Sequence, residues 1–406
     1  MLTILGALAS VGMLALDAFI HTRKGLTSVT GEQLGRDFIN VWAAGRAALT
    51  GHAGLIYNLT EFARFQRSFT GEGSEWKFYS YPPTAILLEL PFGVMPFLPS
   101  LVLWLAVPLL ALGVLLSHAL GRSARGLGAA VLAIVATPAV FLNAWAGQNG
   151  MISAVLLAGG LMALRTRPWL AGVLFGLMCF KPQLLILAPV ALLAGGYWRT
   201  IAATALTVLA VTGASLVWLG PDPWLAFVHN LPEQLAIVRQ SALNFRRMPT
   251  VYAMLKALQA PEVLAYAVQL VSSLAAVVAL FAIWRSAAPQ TVKGAAFLVA
   301  IFLGSSYAWD YDMVVLLFAA VWAWPHLANL PASRTAVGLV AAMVAYPMIS
   351  PAVTTLTHVH LMPLILWGVL VQLLLLAVPA HARSLKALPA AILDLARGRP
   401  GLIAAP

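Results

Sequence analysis

Long apolar runs, separated mostly by short polar turns, follow one another along the whole chain. They occupy residues 2–20, 84–120, 127–144, 150–164, 168–181, 183–198, 200–219, 263–284, 294–308, 313–330, 335–352 and 361–380. About 20 apolar residues are enough for a helix to cross a bilayer. The pattern therefore predicts an all-α polytopic membrane protein with about twelve transmembrane helices.

Composition supports this class. Hydrophobic residues make up 61% of the 406 positions and charged residues only 9%, far from an ordinary soluble domain. Cys179 is the only cysteine, which excludes a disulfide framework. The net charge of +11 comes largely from basic residues between apolar runs. The positive-inside rule explains that placement, so nucleic acid is not an expected partner.

The direction of insertion depends on residues 84–120, which are long enough for one broken crossing or two short ones. With one crossing, Arg165, Arg199, Arg285, Lys293 and Arg334 all fall on the side of the N-terminus. Because basic loops stay in the cytoplasm, one crossing is the consistent choice and both termini are cytoplasmic. The expectation is one membrane domain, 1–380, and a cytoplasmic tail, 381–406.

Two polar segments, 21–83 and 220–262, are then extracytoplasmic, and both show helical periodicity. In the first, one apolar face would run from Leu34 to Leu49, leaving Arg36, Asp37 and Asn40 on the polar side. A second helix would start at Asn58, with Glu61 completing a capping box. The second loop repeats the pattern from Trp224 to Val238. Such amphipathic helices are expected to lie flat on the membrane surface.

Three consecutive runs, 150–164, 168–181 and 183–198, are shorter than the hydrocarbon core is thick. Their outer ends should lie below the membrane surface, where irregular backbone must be covered or line a wet cavity. Those ends carry Gln148, Asn149 and Lys181. The three side chains could bind a substrate. Alternatively, the amides satisfy the turn backbone and the lysine snorkels from a helix end.

Carboxylates on the same side offer further chemistry. Asp37 can act as a general base for a hydroxyl nucleophile. Alternatively, it is a surface carboxylate that pairs with Arg36 or interacts with a helix end. Asp310 and Asp312 could orient a sugar or a divalent ion, although a solvated turn has the same pattern. His229, His358 and His360 lack the spacing of a zinc site, so no metal is expected.

The order of several short motifs resembles a known family. They are Gly35 to Arg46, Leu55-Ile56-Tyr57-Asn58, Phe78 to Pro83, Gly147-Gln148-Asn149, Ala171-Gly172 with Gly176, Phe180-Lys181-Pro182 and Trp309-Asp310. Together they resemble glycosyltransferase family 87 of the GT-C superfamily, over roughly residues 35–315. That family includes bacterial mannosyltransferases that use polyprenyl-phosphate mannose.

The resemblance implies a GT-C fold and inverting transfer of a hexose or pentose, mannose first among them, from a polyprenyl-phosphate donor to a glycolipid or glycan hydroxyl. It makes Asp37 the catalytic base and needs no cofactor or metal. The expected contacts to the donor phosphate are Lys181, Arg246 and Arg247. The expected substrate-binding residues are Asn40, Tyr81, Gln148, Asn149, His229, Trp309 and Asp310.

Two other functions are compatible with a polytopic chain. A secondary transporter or lipid flippase would carry charges near the bilayer midplane and repeated halves, whereas only Asp17 and Glu89 interrupt the apolar interiors here. A noncatalytic envelope scaffold would show no sugar turnover. The expected location is the bacterial inner membrane, with the active site facing the periplasm or the exterior. The pattern does not fix the sugar, the acceptor or the oligomeric state.

Overall fold

The computed structural model describes residues 2–22, 26–28, 31–121, 126–240, 242–328, 333–378, 390 and 393–394. Within these ranges the regular structure is helical, apart from one isolated bridge between Thr27 and Gln33. The fold is therefore all-α, as predicted. Except for residues 390 and 393–394, the predicted tail 381–406 lies outside the described residues.

Nineteen α-helices are resolved in the described ranges. They are α1 Leu2–Thr22, α2 Phe38–Leu49, α3 Leu59–Thr70, α4 Pro83–Val94, α5 Phe97–Ala119, α6 Leu127–Val135, α7 Pro138–Ala146, α8 Gly150–Ala163, α9 Pro168–Gly176, α10 Ala188–Gly195, α11 Trp198–Leu219, α12 Asp222–Gln240, α13 Ala242–Phe245, α14 Val251–Ala257, α15 Glu262–Arg285, α16 Gln290–Gly304, α17 Leu316–Leu327, α18 Ser333–Thr357 and α19 Met362–Ala377. Short 3-10 turns cover Ala53–Tyr57, Leu177–Phe180, Pro182–Leu184 and Asp310–Val315.

Five of these helices, α1, α5, α11, α15 and α18, are long and apolar enough to cross a membrane. Helices α6 and α7 meet at a 73° bend and would make a sixth crossing if counted as one. Shorter apolar helices fill the remaining predicted runs. The protein is thus an all-α membrane protein, and the total of twelve crossings stays a prediction.

The ambiguous run 84–120 divides at Met95-Pro96 into α4 and α5. The residue before a proline is pushed out of the helical region, and Met95 is indeed extended, with ψ 159°. Helix α5 alone has 23 residues and the length of a full span. Helix α4 has only 12 residues, so a single full-length crossing lies in this run.

The chain folds into two compact units. The first comprises Met1–Leu156, Phe175–Lys181 and Thr204–Ser241, and the second comprises Leu157–Leu174, Pro182–Ala203 and Ala242–Pro406. In the second unit α16 is the buried centre, packed against α15, α17 and α19.

In the first unit, α2 contradicts the expectation of a helix lying flat on the membrane. Ten of its twelve residues are buried, and it packs against α4. The two helices touch at Gly45 and Gly93, where a Cβ on either glycine would overlap the backbone of the other helix. Helix α2 is therefore a core element that fixes the position of the residues just before it.

The other loop helices follow the prediction more closely. Helix α3 begins at Asn58, whose side chain accepts hydrogen bonds from the backbone N–H groups of Thr60 and Glu61, both at 3.1 Å. Helix α12 reaches the first loop through polar side chains: Asn230 donates to the Tyr57 carbonyl at 2.6 Å and Gln234 to the Tyr79 carbonyl at 3.0 Å. Val228, placed on its predicted apolar face, stays 65% exposed.

Candidate active site

Asp37 occupies the N-cap position of α2 but does not cap the helix. An N-cap carboxylate usually accepts a hydrogen bond from a backbone N–H of the first turn, and here the Asp37 side chain makes no such bond. Its Oδ2 accepts from Nε2 of Gln148 at 2.9 Å, and its Oδ1 lies 3.7 Å from Nζ of Lys77. The carboxylate keeps 26% of its surface exposed, so it is both oriented and accessible.

Gln148 is held in turn by Tyr81, whose hydroxyl donates to Oε1 of Gln148 at 2.9 Å. With the amide oxygen engaged, the amide N–H₂ group is directed to Asp37. Tyr81, Gln148 and Asp37 thus form a connected chain of hydrogen bonds. Three residues predicted to form the site, more than 100 positions apart at its ends, lie together in the first unit.

A backbone contact makes this approach possible. Gly147 ends α7 in the left-handed conformation, with φ 63°, and a Cβ there would overlap the carbonyl oxygen of Gly35. The N–H of Asp37 donates to the Ala146 carbonyl at 3.0 Å, and the Trp104 indole donates to the Gly147 carbonyl at 3.1 Å. A side chain at position 147 would push Gln148 away from Asp37.

Arg36 does not pair with Asp37, which removes one of the sequence-based alternatives. Its guanidinium donates to both carboxylate oxygens of Asp17, at 2.8 and 3.1 Å, and to the Trp145 carbonyl at 3.2 Å. The same group stacks 3.7 Å from the centre of the Trp145 ring. The isolated acid in α1 is therefore a structural anchor for Arg36.

Lys77 is the site residue that the sequence analysis missed. Its ammonium group lies between Asp37 and Glu75, 3.1 Å from Oε2 of Glu75. The signal was present, because Lys77 directly precedes the Phe78 to Pro83 motif. Asn40, in the first turn of α2, holds this segment by donating to the Phe78 carbonyl at 2.9 Å. Asn40 is buried at 6% exposure, so its observed role is to position the segment.

Glu89 and Tyr79 form a buried pair behind the site. The Tyr79 hydroxyl donates to Oε2 of Glu89 at 2.7 Å, and the Tyr57 hydroxyl donates to the Tyr81 carbonyl at 2.9 Å. Burial, and then the nearby Glu89, raise the pKa of Tyr79 well above its usual value. The phenol therefore remains a hydrogen-bond donor and fixes the loop that carries Tyr81.

Lys181 and Asn149 also meet in the first unit. Lys181 lies at the turn between α9 and α10, as predicted, and its Nζ donates to Oδ1 of Asn149 at 2.8 Å. Lys181 is only 1% exposed, so it does not snorkel to a surface. The preceding residue, Phe180, lines an apolar pocket of ≈ 400 Å³ bounded by α4, α8 and α11.

In the second unit, Arg247 and Asp310 form a bidentate ion pair. The guanidinium Nε and Nη2 lie 2.8 and 3.0 Å from the two Asp310 oxygens. Trp309 and Tyr311 stack nearly parallel, with ring centres 6.0 Å apart, and the Arg247 guanidinium lies against both. Asp310 is 1% exposed, and Asp312 accepts from the Trp309 N–H at 3.0 Å. The two acids thus serve protein contacts, which argues against the solvated-turn alternative.

The remaining predicted residues occupy other positions. His229 is exposed on α12 of the first unit, and Arg246 is half-buried in the turn after α13 of the second. Within the described ranges, groups of three or more His, Cys, Asp or Glu side chains that could hold a metal ion are absent. The groups that meet at the candidate site are the Asp37 carboxylate, the Gln148 amide and the Lys77 ammonium.

This arrangement suits proton removal from a hydroxyl. Asp37 can accept a proton at the exposed part of its carboxylate while Gln148 holds it in place. Lys77 places a positive charge beside the same carboxylate.

Comparison with known proteins identifies the family. Glycosyltransferase family 87 matches residues 79–308, which is more than half of the chain. The match begins after Asp37 and Lys77 and includes Tyr81, Gln148, Lys181, Arg247 and the segment up to Ala308.

Curated relatives agree with this assignment. An alpha-(1->3)-arabinofuranosyltransferase of Mycobacterium tuberculosis strain H37Rv, and its counterpart in strain CDC 1551, are each 31% identical over 171 residues. The aligned part covers 38% of this chain and 37% of each relative. No solved structure matches the chain. With its all-α fold and spans suited to a bilayer, the chain belongs to glycosyltransferase family 87.

Proposed function

We propose that this glycosyltransferase moves a pentose or hexose from a polyprenyl-phosphate donor to a hydroxyl of an envelope glycolipid or glycan, with inversion, at the extracytoplasmic face of a bacterial inner membrane. The observation that carries the proposal is the Asp37 carboxylate, which is turned away from its helix cap and held by Gln148. No cofactor or metal ion takes part in the proposed reaction.

The reaction is a single displacement. The acceptor oxygen attacks the anomeric carbon, its proton passes to Asp37, and the bond from that carbon to the donor phosphate breaks. The polyprenyl phosphate leaves with the electron pair, so it needs no protonation by an acid. General base catalysis of this kind contributes about 10²- to 10⁴-fold to a rate.

In this proposal, the donor phosphate binds to two lysines of the first unit, Lys181 and Lys77. Lys181 lies beside Asn149 and directly follows Phe180 in the wall of the apolar pocket. An isoprenoid chain in that pocket would bring its phosphate towards Lys181, and Lys77 would meet the phosphate on the side of Asp37. Arg246 and Arg247 remain candidates for the same role, although Arg247 is already paired with Asp310. His229, Trp309 and Asp310 remain candidates for sugar or acceptor contacts.

The sugar is proposed from two sources that differ. The family resemblance implies mannose first, whereas the curated relatives are named for arabinofuranose. A pentofuranosyl donor therefore stands beside mannose in the proposal, and galactose and glucose fit the same chemistry. Family membership favours transfer over a transporter or flippase.

The test uses the purified full-length protein with a panel of polyprenyl-phosphate sugars and a cell-envelope glycolipid extract as acceptor. We expect transfer from one member of the panel, and a rate about 10²- to 10⁴-fold lower in Asp37→Asn. Glu61→Gln, which changes an exposed carboxylate of the same loop, should keep the wild-type rate.

Undiminished transfer by a folded Asp37→Asn protein would remove Asp37 from the mechanism. Movement of the lipid-linked sugars across the bilayer of a vesicle, without transfer of the sugar to an acceptor, would favour a flippase. Background turnover of every donor would favour a scaffold.

A further inference from the structure

A basic pocket of ≈ 440 Å³ lies wholly within the second unit, apart from the site described above. It is lined by Leu164, Arg165, Pro168, Gly195, Gly196, Tyr197, Trp198 and Arg199. The pocket is formed where α8 and α10 end and where α9 and α11 begin. It opens at the side of the chain that the distribution of basic residues assigns to the cytoplasm.

The charge in the pocket is one-sided. Arg165 and Arg199 are both exposed, and no acidic residue belongs to the lining. The Arg165 charge also acts on Lys293 of α16. Two guanidinium groups that share a pocket repel each other unless an anion lies between them. The pocket therefore favours a ligand of negative charge.

The backbone adds to this preference. Helices α9 and α11 both start at the pocket, at Pro168 and Trp198, and helix starts present unpaired N–H groups and a positive dipole end. The buried Thr200 hydroxyl donates to the Pro168 carbonyl at 3.1 Å, which holds the two starts together. Phosphate and carboxylate groups bind at such positions.

Exposed tryptophans place the pocket at the level of lipid headgroups. Trp198, in the lining, is 65% exposed, and Trp169, at the start of α9, is 55% exposed. Tryptophan is enriched at the boundary between hydrocarbon and water. A phosphate that reaches this pocket can therefore come from a lipid in the surrounding membrane.

We propose that the Arg165–Arg199 pocket binds the phosphate group of an anionic membrane lipid, with the lipid glycerol beside Trp198. The two guanidinium groups contact the phosphate oxygens, and the Tyr197 hydroxyl, which donates to Gln290 at 3.1 Å, forms the pocket wall. The site is separate from the proposed donor site, because Asn149 and Arg165 lie at opposite ends of α8.

The test measures lipid retention by the full-length protein in detergent, using native mass spectrometry with phosphatidylglycerol as the probe and phosphatidylcholine as the neutral comparison. Each arginine near a membrane surface strengthens anionic lipid binding by about fivefold. We expect Arg165→Gln and Arg199→Gln each to weaken phosphatidylglycerol binding by about fivefold and the double variant by about 20-fold. Arg285→Gln removes an exposed cation outside the pocket and should bind as the wild type does.

Folding and the source of the phosphate are checked separately. The unfolding temperature of each variant in phosphatidylcholine nanodiscs should match that of the wild type. If the double variant does not fold, the two single variants still test the proposal. Inorganic phosphate should not displace the lipid at equal concentration. Equal phosphatidylglycerol binding by the wild type and the folded variants overturns the proposal. Equal affinity of the wild type for inorganic phosphate also overturns it, because the ligand would then not be a lipid.

Discussion

Gln148 donates a hydrogen bond to Asp37 across 2.9 Å, although the two residues are 111 positions apart in the chain. The amide comes from the turn after α7 and the carboxylate from the residue before α2. The contact connects the strongest sequence candidate for a catalytic base to a side chain whose role the sequence left open.

Removing the amide should slow the chemical step. Gln148→Leu takes away a hydrogen bond to a charged group, worth about 1.5–3 kcal/mol, so we expect kcat to fall about 10- to 100-fold. Tyr81→Phe leaves the Gln148 amide in place but removes the hydrogen bond that orients it, so we expect kcat to fall about fivefold. Steady-state transfer assays on folded variants measure both, and wild-type kcat in both variants would contradict the proposed network.

Lys77 should act mainly on the donor. Lys77→Gln removes a charge-assisted contact to the proposed phosphate, and we expect KM for the lipid-linked donor to rise about 10-fold or more. Lys77→Arg should restore part of the loss, and Arg64→Gln, an exposed cation on α3, should change nothing. A fall in kcat at constant donor KM would instead mean that Lys77 serves Asp37 alone.

The glycine at position 147 should be indispensable for folding of the site. Gly147→Ala places a Cβ against the Gly35 carbonyl at a φ of 63°, and we expect a loss of about 3 kcal/mol or more. Gly51 has a φ of 79° with open space around it, so Gly51→Ala isolates the conformational cost of about 1 kcal/mol. Thermal unfolding in detergent compares the two, and similar losses would contradict the close approach.

Acid stability should depend on His360. Its side chain is fully buried, beside the backbone of Arg246. Burial lowers its pKa from an ordinary 6.5 to about 4. The unfolded chain therefore takes up a proton before the folded protein does. The contribution of the neutral, buried His360 to the free energy of unfolding is therefore fully present above pH 6.5. It falls by roughly 3 kcal/mol towards pH 4.

The difference between two histidine variants measures this effect. His360→Leu should flatten the unfolding temperature between pH 6.5 and 4 relative to the wild type. His358→Asn, at an exposed left-handed position, should keep the wild-type pH profile. Parallel profiles for all three proteins would show that His360 is not the titrating group.

The limits of local reasoning are clearest in α2. The period of the apolar residues predicted a helix here, with polar residues at its start. The same amphipathic pattern predicted, wrongly, that this helix lies on the membrane surface. The structure buries the helix because Gly45 and Gly93, 48 positions apart, let α2 and α4 approach to backbone contact. Such complementarity depends on two distant segments and leaves no periodic signal in either.

The sequence by itself determined the helical membrane class, the turn at Lys181 and the family, since apolar run length and short motifs are local properties. Only the tertiary structure decided which polar groups meet. It paired Arg36 with Asp17, Asp37 with Gln148 and Lys77, and Arg247 with Asp310. A charge in a sequence has many possible partners, and packing of distant helices selects among them.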